Sequence, residues 1–193
     1  MALRRFLASL VRVDSGGLNK YLIYPTSFNL NKLFTHLAHS FFYFSQILFF
    51  IFLFTFYNRA FVFEIISMQK IIMFFLAITI ASITYFYMNA ICEYTAFWAE
   101  NIWSLGVMLQ MCSRFLGGGL IPLAFFPETF QIFIQYTPFP YLVNFPIQIL
   151  ISDIPLDIFF QKLSFSFLWV LVFSFLSNIV WEKGRYQYSG AGM

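Results

Sequence analysis

The chain has 193 residues, of which 61% are hydrophobic, 23% aromatic and 10% charged, with a mean hydropathy of +0.78. An ordinary globular domain carries roughly 25% charged residues, so a soluble protein with this little charge lacks the means to dress its surface. Lipid is therefore the solvent for most of the chain, with no room for a separate soluble domain and no nucleic-acid partner.

The opening, MALRRFLASLVR, repeats Leu3, Phe6, Leu7 and Leu10 at helical spacing opposite Arg4, Arg5 and Arg12. That pattern predicts a helix lying on an anionic membrane surface. A signal peptide fits poorly, because the apolar core would span only residues 6–11, short of the ~7 to 15 such a core needs, and no small-residue cleavage site follows. Residues 13–35 are the most polar part of the chain. Gly16-Gly17 and Pro25-Thr26-Ser27 mark turns, and between them Leu18, Leu22 and Ile23 beside Lys20 and Tyr21 make a short amphipathic element.

The first expected span is 37–57, 21 residues without a charge, or ~31 Å of helix, which matches one bilayer core. A barrel strand needs alternation and only ~9 to 11 residues, whereas this run is uniformly apolar. Residues 58–70 connect it, with Arg59, Glu64 and Lys70, to a second span at 71–91 that carries Tyr85 and Tyr87 as interface anchors. Glu93 and Glu100 flank Phe97 and Trp98 in the next connection. A third span, 102–116, is the least comfortable in lipid because of Gln110 and Arg114, and a fourth covers 158–181, from near Lys162 to Trp181. Residues 182–193 form a polar tail.

Between the third and fourth spans lies GGGLIPLAFFPETFQIFIQYTPFPYLVNFPIQILI, residues 117–151, almost as apolar as a span yet unable to be one. Gly117, Gly118 and Gly119 are followed by Pro122, Pro127, Pro138, Pro140 and Pro146, five of the chain's seven prolines. Each proline lacks a donor and clashes with the preceding turn, so no continuous helix passes. Broken apolar backbone survives in hydrocarbon only when buried in protein, lining a cavity or lying at the interface. The expectation is a re-entrant hairpin: a short helix at 128–136, a reversal at 137–140 and a second short helix at 142–151. The predicted fold is thus an all-α polytopic membrane bundle with four spans and one re-entrant helical hairpin.

Orientation follows from charge. With the N-terminus in the cytoplasm, Arg4, Arg5, Arg12, Lys20, Lys32, Lys183 and Arg185 fall on the cytoplasmic side, seven of the eleven basic residues, as the positive-inside rule requires. Both termini are then cytoplasmic, with residues 1–35 and the tail, and 117–151 face outward. No G-x-x-x-x-G-K-[ST] phosphate cradle occurs, so the chain is not expected to hydrolyse nucleotide itself. His36 and His39 lack the pairings of di-iron or zinc-protease sites and read as interfacial hydrogen-bonding groups. Cys92 and Cys112 have no metal-ligand spacing and read as inert thiols. No catalytic or metal site is expected.

Four pieces occur in a recognisable order: GLNKYLIYP (17–25); FWAENIW (97–103); GGGLIPL (117–123) with FP at 126–127, PFPY at 138–141 and FP at 145–146; and WEKGRY (181–186). Together they resemble ABC-2 type transporter permeases, in their bacterial branch, over about residues 14–190. The resemblance implies a multi-pass subunit of the bacterial inner membrane that pairs with a second permease chain, identical or not, and works with a separate cytoplasmic ABC ATPase. ATP and Mg belong to that ATPase, and this chain would bind no cofactor. By the same resemblance Gly17, Leu18, Tyr21, Leu22 and Pro25 form the cytoplasmic element that meets the ATPase. Glu100 and Trp103 would receive its movement, and 117–151 would be the extracellular re-entrant hairpin. Members usually have six spans, and this chain begins where the second would be ending, so the first two are expected to be lacking. The implied activity is ATP-driven export of a drug-like or amphipathic substrate. The alternatives are a truncated structural or assembly protein without transport of its own, and an intramembrane enzyme using His36, His39 and Glu93.

Overall fold

The computed structural model describes residues 28–57, 67–99 and 102–186. Within them the chain forms helices α1 (Phe28–Tyr57), α2 (Met68–Tyr94), α3 (Trp103–Leu116), α4 (Glu128–Gln135), α5 (Phe139–Leu142), α6 (Asn144–Ile151) and α7 (Leu156–Arg185). Single 3-10 turns at Thr95–Phe97 and Leu123–Phe125 follow α2 and precede α4. No strand occurs among the described residues. The surface helix expected over residues 1–12, the element with Gly17, Leu18, Tyr21, Leu22 and Pro25, Glu100, and residues 187–193 of the tail lie outside the described residues.

Among the described residues two stretches are long and apolar enough to cross a membrane, Met68–Phe97 and Leu156–Arg185, each 30 residues. Only 11% of the most apolar window of α7 is buried, and Phe160, Phe167, Leu168, Leu171 and Phe175 stand exposed along it. A run of this kind facing water would be a contiguous apolar patch far larger than soluble proteins carry, so its solvent is lipid. α1 is longer than the predicted span and begins directly after Pro25-Thr26-Ser27. The added turns are polar but satisfied: Thr35 Oγ1 donates to the Asn31 carbonyl at 2.9 Å, and Lys32 pairs with Glu93. α3 is short. Its 14 residues give about 21 Å of helix, less than the ~30 Å hydrocarbon core.

The ion pairs and ring contacts define how the helices run. Lys32 of α1 meets Glu93 at the end of α2, while Ser40 meets Ser82 and Phe44 meets Phe75, so α1 and α2 are antiparallel. α2 and α7 are parallel. Lys70 pairs with Asp153 at 2.8 Å just before α7, and Tyr94 and Phe97 stack near Trp181 at its far end, with centroids 5.1 and 5.8 Å apart. Their seam follows a heptad: Ala77, Ala81, Thr84 and Met88 from α2 and Ser166, Val170, Ser177 and Gly184 from α7 are buried. Lipid tails are as apolar as leucine, so no hydrophobic force joins two such helices; small residues let the backbones approach and dispersion holds them.

The broken segment is wedged against one end of this pair. Phe145 and Ile149 of α6 pack with Met73, Phe74 and Ala77 of α2 and Phe159 of α7 in one buried cluster. Lys162 Nζ donates to Gln148 Oε1 at 3.2 Å and lies over the Phe145 ring, which ties α6 to α7.

At the other end Gly184 carries the Phe97 ring directly on its Cα, and an added Cβ would overlap that ring. Overpacking of this kind costs about 1–3 kcal/mol. Gly184→Ala should therefore lower the thermal midpoint of the detergent-solubilised protein by several degrees, while Leu168→Ala on the exposed face leaves it near that of the parent. Equal shifts in the two variants would show that the Phe97 contact carries no stability.

Candidate functional site

The carbonyls that end α3 are satisfied by the triple glycine. Gly119 N–H donates to the Arg114 carbonyl at 2.8 Å and Gly118 N–H to that of Phe115 at 3.3 Å, with Gly118 at φ +80°. This is the pairing of a helix C-cap whose left-handed residue is almost always glycine. Gly117 is needed for a different reason: a Cβ there would overlap the Ser113 carbonyl of its own helix, and would meet the Phe139 carbonyl at 3.0 Å and Val143 at 3.2 Å, so it serves both the end of α3 and the close approach of α5. The prolines stand where a missing donor is harmless. Pro122 precedes a 3-10 turn, Pro127 precedes α4, Pro138 and Pro140 open α5, and Pro146 lies in the first turn of α6. Tyr141 closes the reversal by donating its hydroxyl to the Gln135 carbonyl at 2.9 Å.

The cap holds α3 beside a cavity of about 410 Å³. Its walls are Ser40, Tyr43, Phe44 and Ile47 from α1, Ile78, Ala81, Ser82 and Tyr85 from α2, Gln110, Ser113 and Arg114 from α3, and Leu142 and Val143 from the reversal. Ser82 lies 12 residues past Lys70 and 11 before Glu93, hence roughly 18 and 17 Å along the helix from the two charged ends. The cavity is polar at mid-depth. His36 Nε2 and Ser82 Oγ are 2.9 Å apart, and Ser40 Oγ and Ser82 Oγ 3.1 Å, a chain of polar groups that joins α1 to α2. Ser113 Oγ is buried without a hydrogen-bond partner among the described residues. An unmet hydroxyl in such a place costs about 1–3 kcal/mol. Polar groups this deep in a membrane protein face bundle interiors or solute paths.

Residues 4–192 match the family described as ABC-2 family transporter protein. The chain belongs to the ABC-2 family transporter proteins. No curated protein and no solved structure matches it. Membership makes it a membrane-integral permease component of an ABC transporter, a family that associates with an ABC ATPase and carries no ATPase site itself.

Of the residues singled out in the ABC-2 sequence, Pro138, Pro140 and Pro146 are buried, and Gly117 lies against Phe139 and Val143 of the reversal. Pro122 and Pro127 stay on the exposed outer turn. Trp103 is the first residue of α3 and 45% exposed. Gln110 and Arg114, discordant in the sequence, line the cavity, and His36 makes a hydrogen bond, but to Ser82 between the helices and not at the interface where the sequence put it. Ser40, Ser82 and Ser113 were missed. Serines in apolar runs often bond only their own helix, as Ser164 does with the Phe160 carbonyl, and sequence does not separate the two kinds.

In a background with Cys92→Ala and Cys112→Ala, Ser82→Cys should react with a small water-soluble thiol reagent in membranes, and Phe167→Cys on the lipid face should not. Protection of Ser82→Cys equal to that of Phe167→Cys would mean that water does not reach the cavity.

Proposed function

We propose that this chain is the membrane-spanning subunit of an ATP-driven exporter with four spans, α1, α2, a third that α3 begins and the broken segment completes, and α7. In this reading 117–151 is an outward-facing re-entrant hairpin, both termini are cytoplasmic in the bacterial inner membrane, and a second permease chain completes the transporter. The observation that carries the reading is the cavity between α1, α2, α3 and the reversal, apolar for most of its lining but with Ser40, Ser82, Gln110, Ser113 and Arg114 on its walls, in a chain of the ABC-2 family. A cleft that a helix pair, α3 and a broken segment line is one that a relative shift of those elements reshapes.

Coupling then runs through the cytoplasmic ends. Gly17, Leu18, Tyr21, Leu22 and Pro25 precede α1, and Glu100 and Trp103 follow α2. The Lys32–Glu93 pair, with side chains 22% and 16% exposed, joins the beginning of the first helix to the end of the second, so a push on either element reaches both. ATP binding to the partner shifts the permease only by its differential affinity for the inward and outward packings.

Two measurements test this. Co-purified with its ATPase and reconstituted, the complex should hydrolyse ATP several-fold more slowly with Gly17→Pro or Glu100→Ala; unchanged turnover in both removes those residues from the path. Glu128→Cys, at an exposed position in the same segment, should react with an impermeant thiol reagent from outside intact cells. Reaction only after the cytosolic face is opened would invert the topology and contradict export through an outward hairpin.

A further inference from the structure

Among the described residues that line the mid-depth cavity, Arg114 is the one charged side chain, and no carboxylate joins it. The other described ion pairs sit away from it: Lys32 with Glu93 and Lys70 with Asp153 at opposite ends of α2, and Arg185 with Glu182 in the last turn of α7. A charge inside a membrane domain is costly unless a counter-charge or a water-filled path meets it. Part of that cost is met by position, since Arg114 lies in the last turn of α3, where the helix dipole favours a cation. The dipole does not use the guanidinium's donors, and it leaves the neighbouring buried Ser113 Oγ without a partner. Gln110, one turn earlier, adds an amide on the same face. Three side chains of donor character thus converge on one wall. The wall from α1 sets Phe44 and Ile47 beside Ser40 and Tyr43, and Tyr43 and Ile47 are 51% and 38% exposed, so its mouth opens beside α1 toward lipid.

We infer that the cavity takes an anionic amphiphile, its phosphate or carboxylate head held by Arg114, Ser113 and Gln110 and its alkyl chain leaving past Phe44 and Ile47. The assignment rests on the permease reading for its purpose but not for its chemistry. A guanidinium binds such heads through paired hydrogen bonds, and a volume of about 410 Å³ falls within the roughly 300–1,000 Å³ of small-molecule sites. A cationic amphiphile would meet the same guanidinium as repulsion, despite the two tyrosines.

The test is native mass spectrometry of the full chain in nonionic detergent, titrated with dodecyl phosphate, dodecyltrimethylammonium or inorganic phosphate. Dodecyl phosphate should be retained at least tenfold more tightly than the cation. Arg114→Gln should abolish that preference, Ser113→Val should weaken it several-fold, and Arg114→Lys and Arg185→Gln should preserve it. Equal retention of the two amphiphiles by the unaltered chain, which needs no variant to fold, overturns the inference. So does a preference that survives both Arg114→Gln and Ser113→Val, and so does inorganic phosphate displacing dodecyl phosphate at equal concentration, which would mark a small-anion site. ATP turnover does not enter the readout, so loss of anion preference with intact ATPase coupling condemns the site alone, and the converse condemns the permease reading alone.

Discussion

In hydrocarbon every backbone donor and acceptor must find its partner inside the protein, because water is absent and an unmet group costs several kcal/mol. Residues 117–151 bear on that requirement most, since glycines and prolines break the helix there within a largely apolar sequence. The breaks are closed locally. Gly118 and Gly119 return two N–H groups to the end of α3, Thr137 Oγ1 and Tyr141 donate to the Ile134 and Gln135 carbonyls, and Gln131 Nε2 donates to that of Phe126 at 2.7 Å. What local bonds leave exposed, packing covers: Phe145 and Ile149 are 3% and 1% exposed between α2 and α7.

The parallel α2–α7 pair makes that cover possible. Two consecutive spans joined by a short loop run antiparallel, as α1 and α2 do. For α2 and α7 to run parallel, the chain between them must return to the end where α2 began, and α3, at about 21 Å, does not cover the distance alone. The glycine cap, the 3-10 turn and α4 to α6 complete the return, which delivers Asp153 to Lys70. The break in the helix thereby sets both the cavity's floor, through Leu142 and Val143, and the start of the last span.

Much of this was legible in the sequence. The glycine and proline positions carried the breaks, because φ > 0 and a missing donor are properties of the residue itself, and the short helices lie within a residue or two of the positions read from them. Long apolar runs carried α2 and α7. Harder to read were the contacts that depend on which faces meet. The start of α1 at Phe28 rather than near 37 depends on a partner for Lys32 found 61 residues away. The cavity depends on serines whose role is set by what stands opposite, and the polar signal that did stand out, Gln110 with Arg114, was visible only as discomfort in lipid.

The return of the chain to the Lys70 end is tested most directly by oxidative cross-linking in native membranes before extraction, in a background of Cys92→Ala and Cys112→Ala. Lys70→Cys with Asp153→Cys should form an intramolecular disulfide rapidly and in high yield, and Glu93→Cys with Asp153→Cys should not. A disulfide in the second pair and none in the first would place the end of the broken segment at the opposite side of α2 and contradict the fold on which the cavity depends.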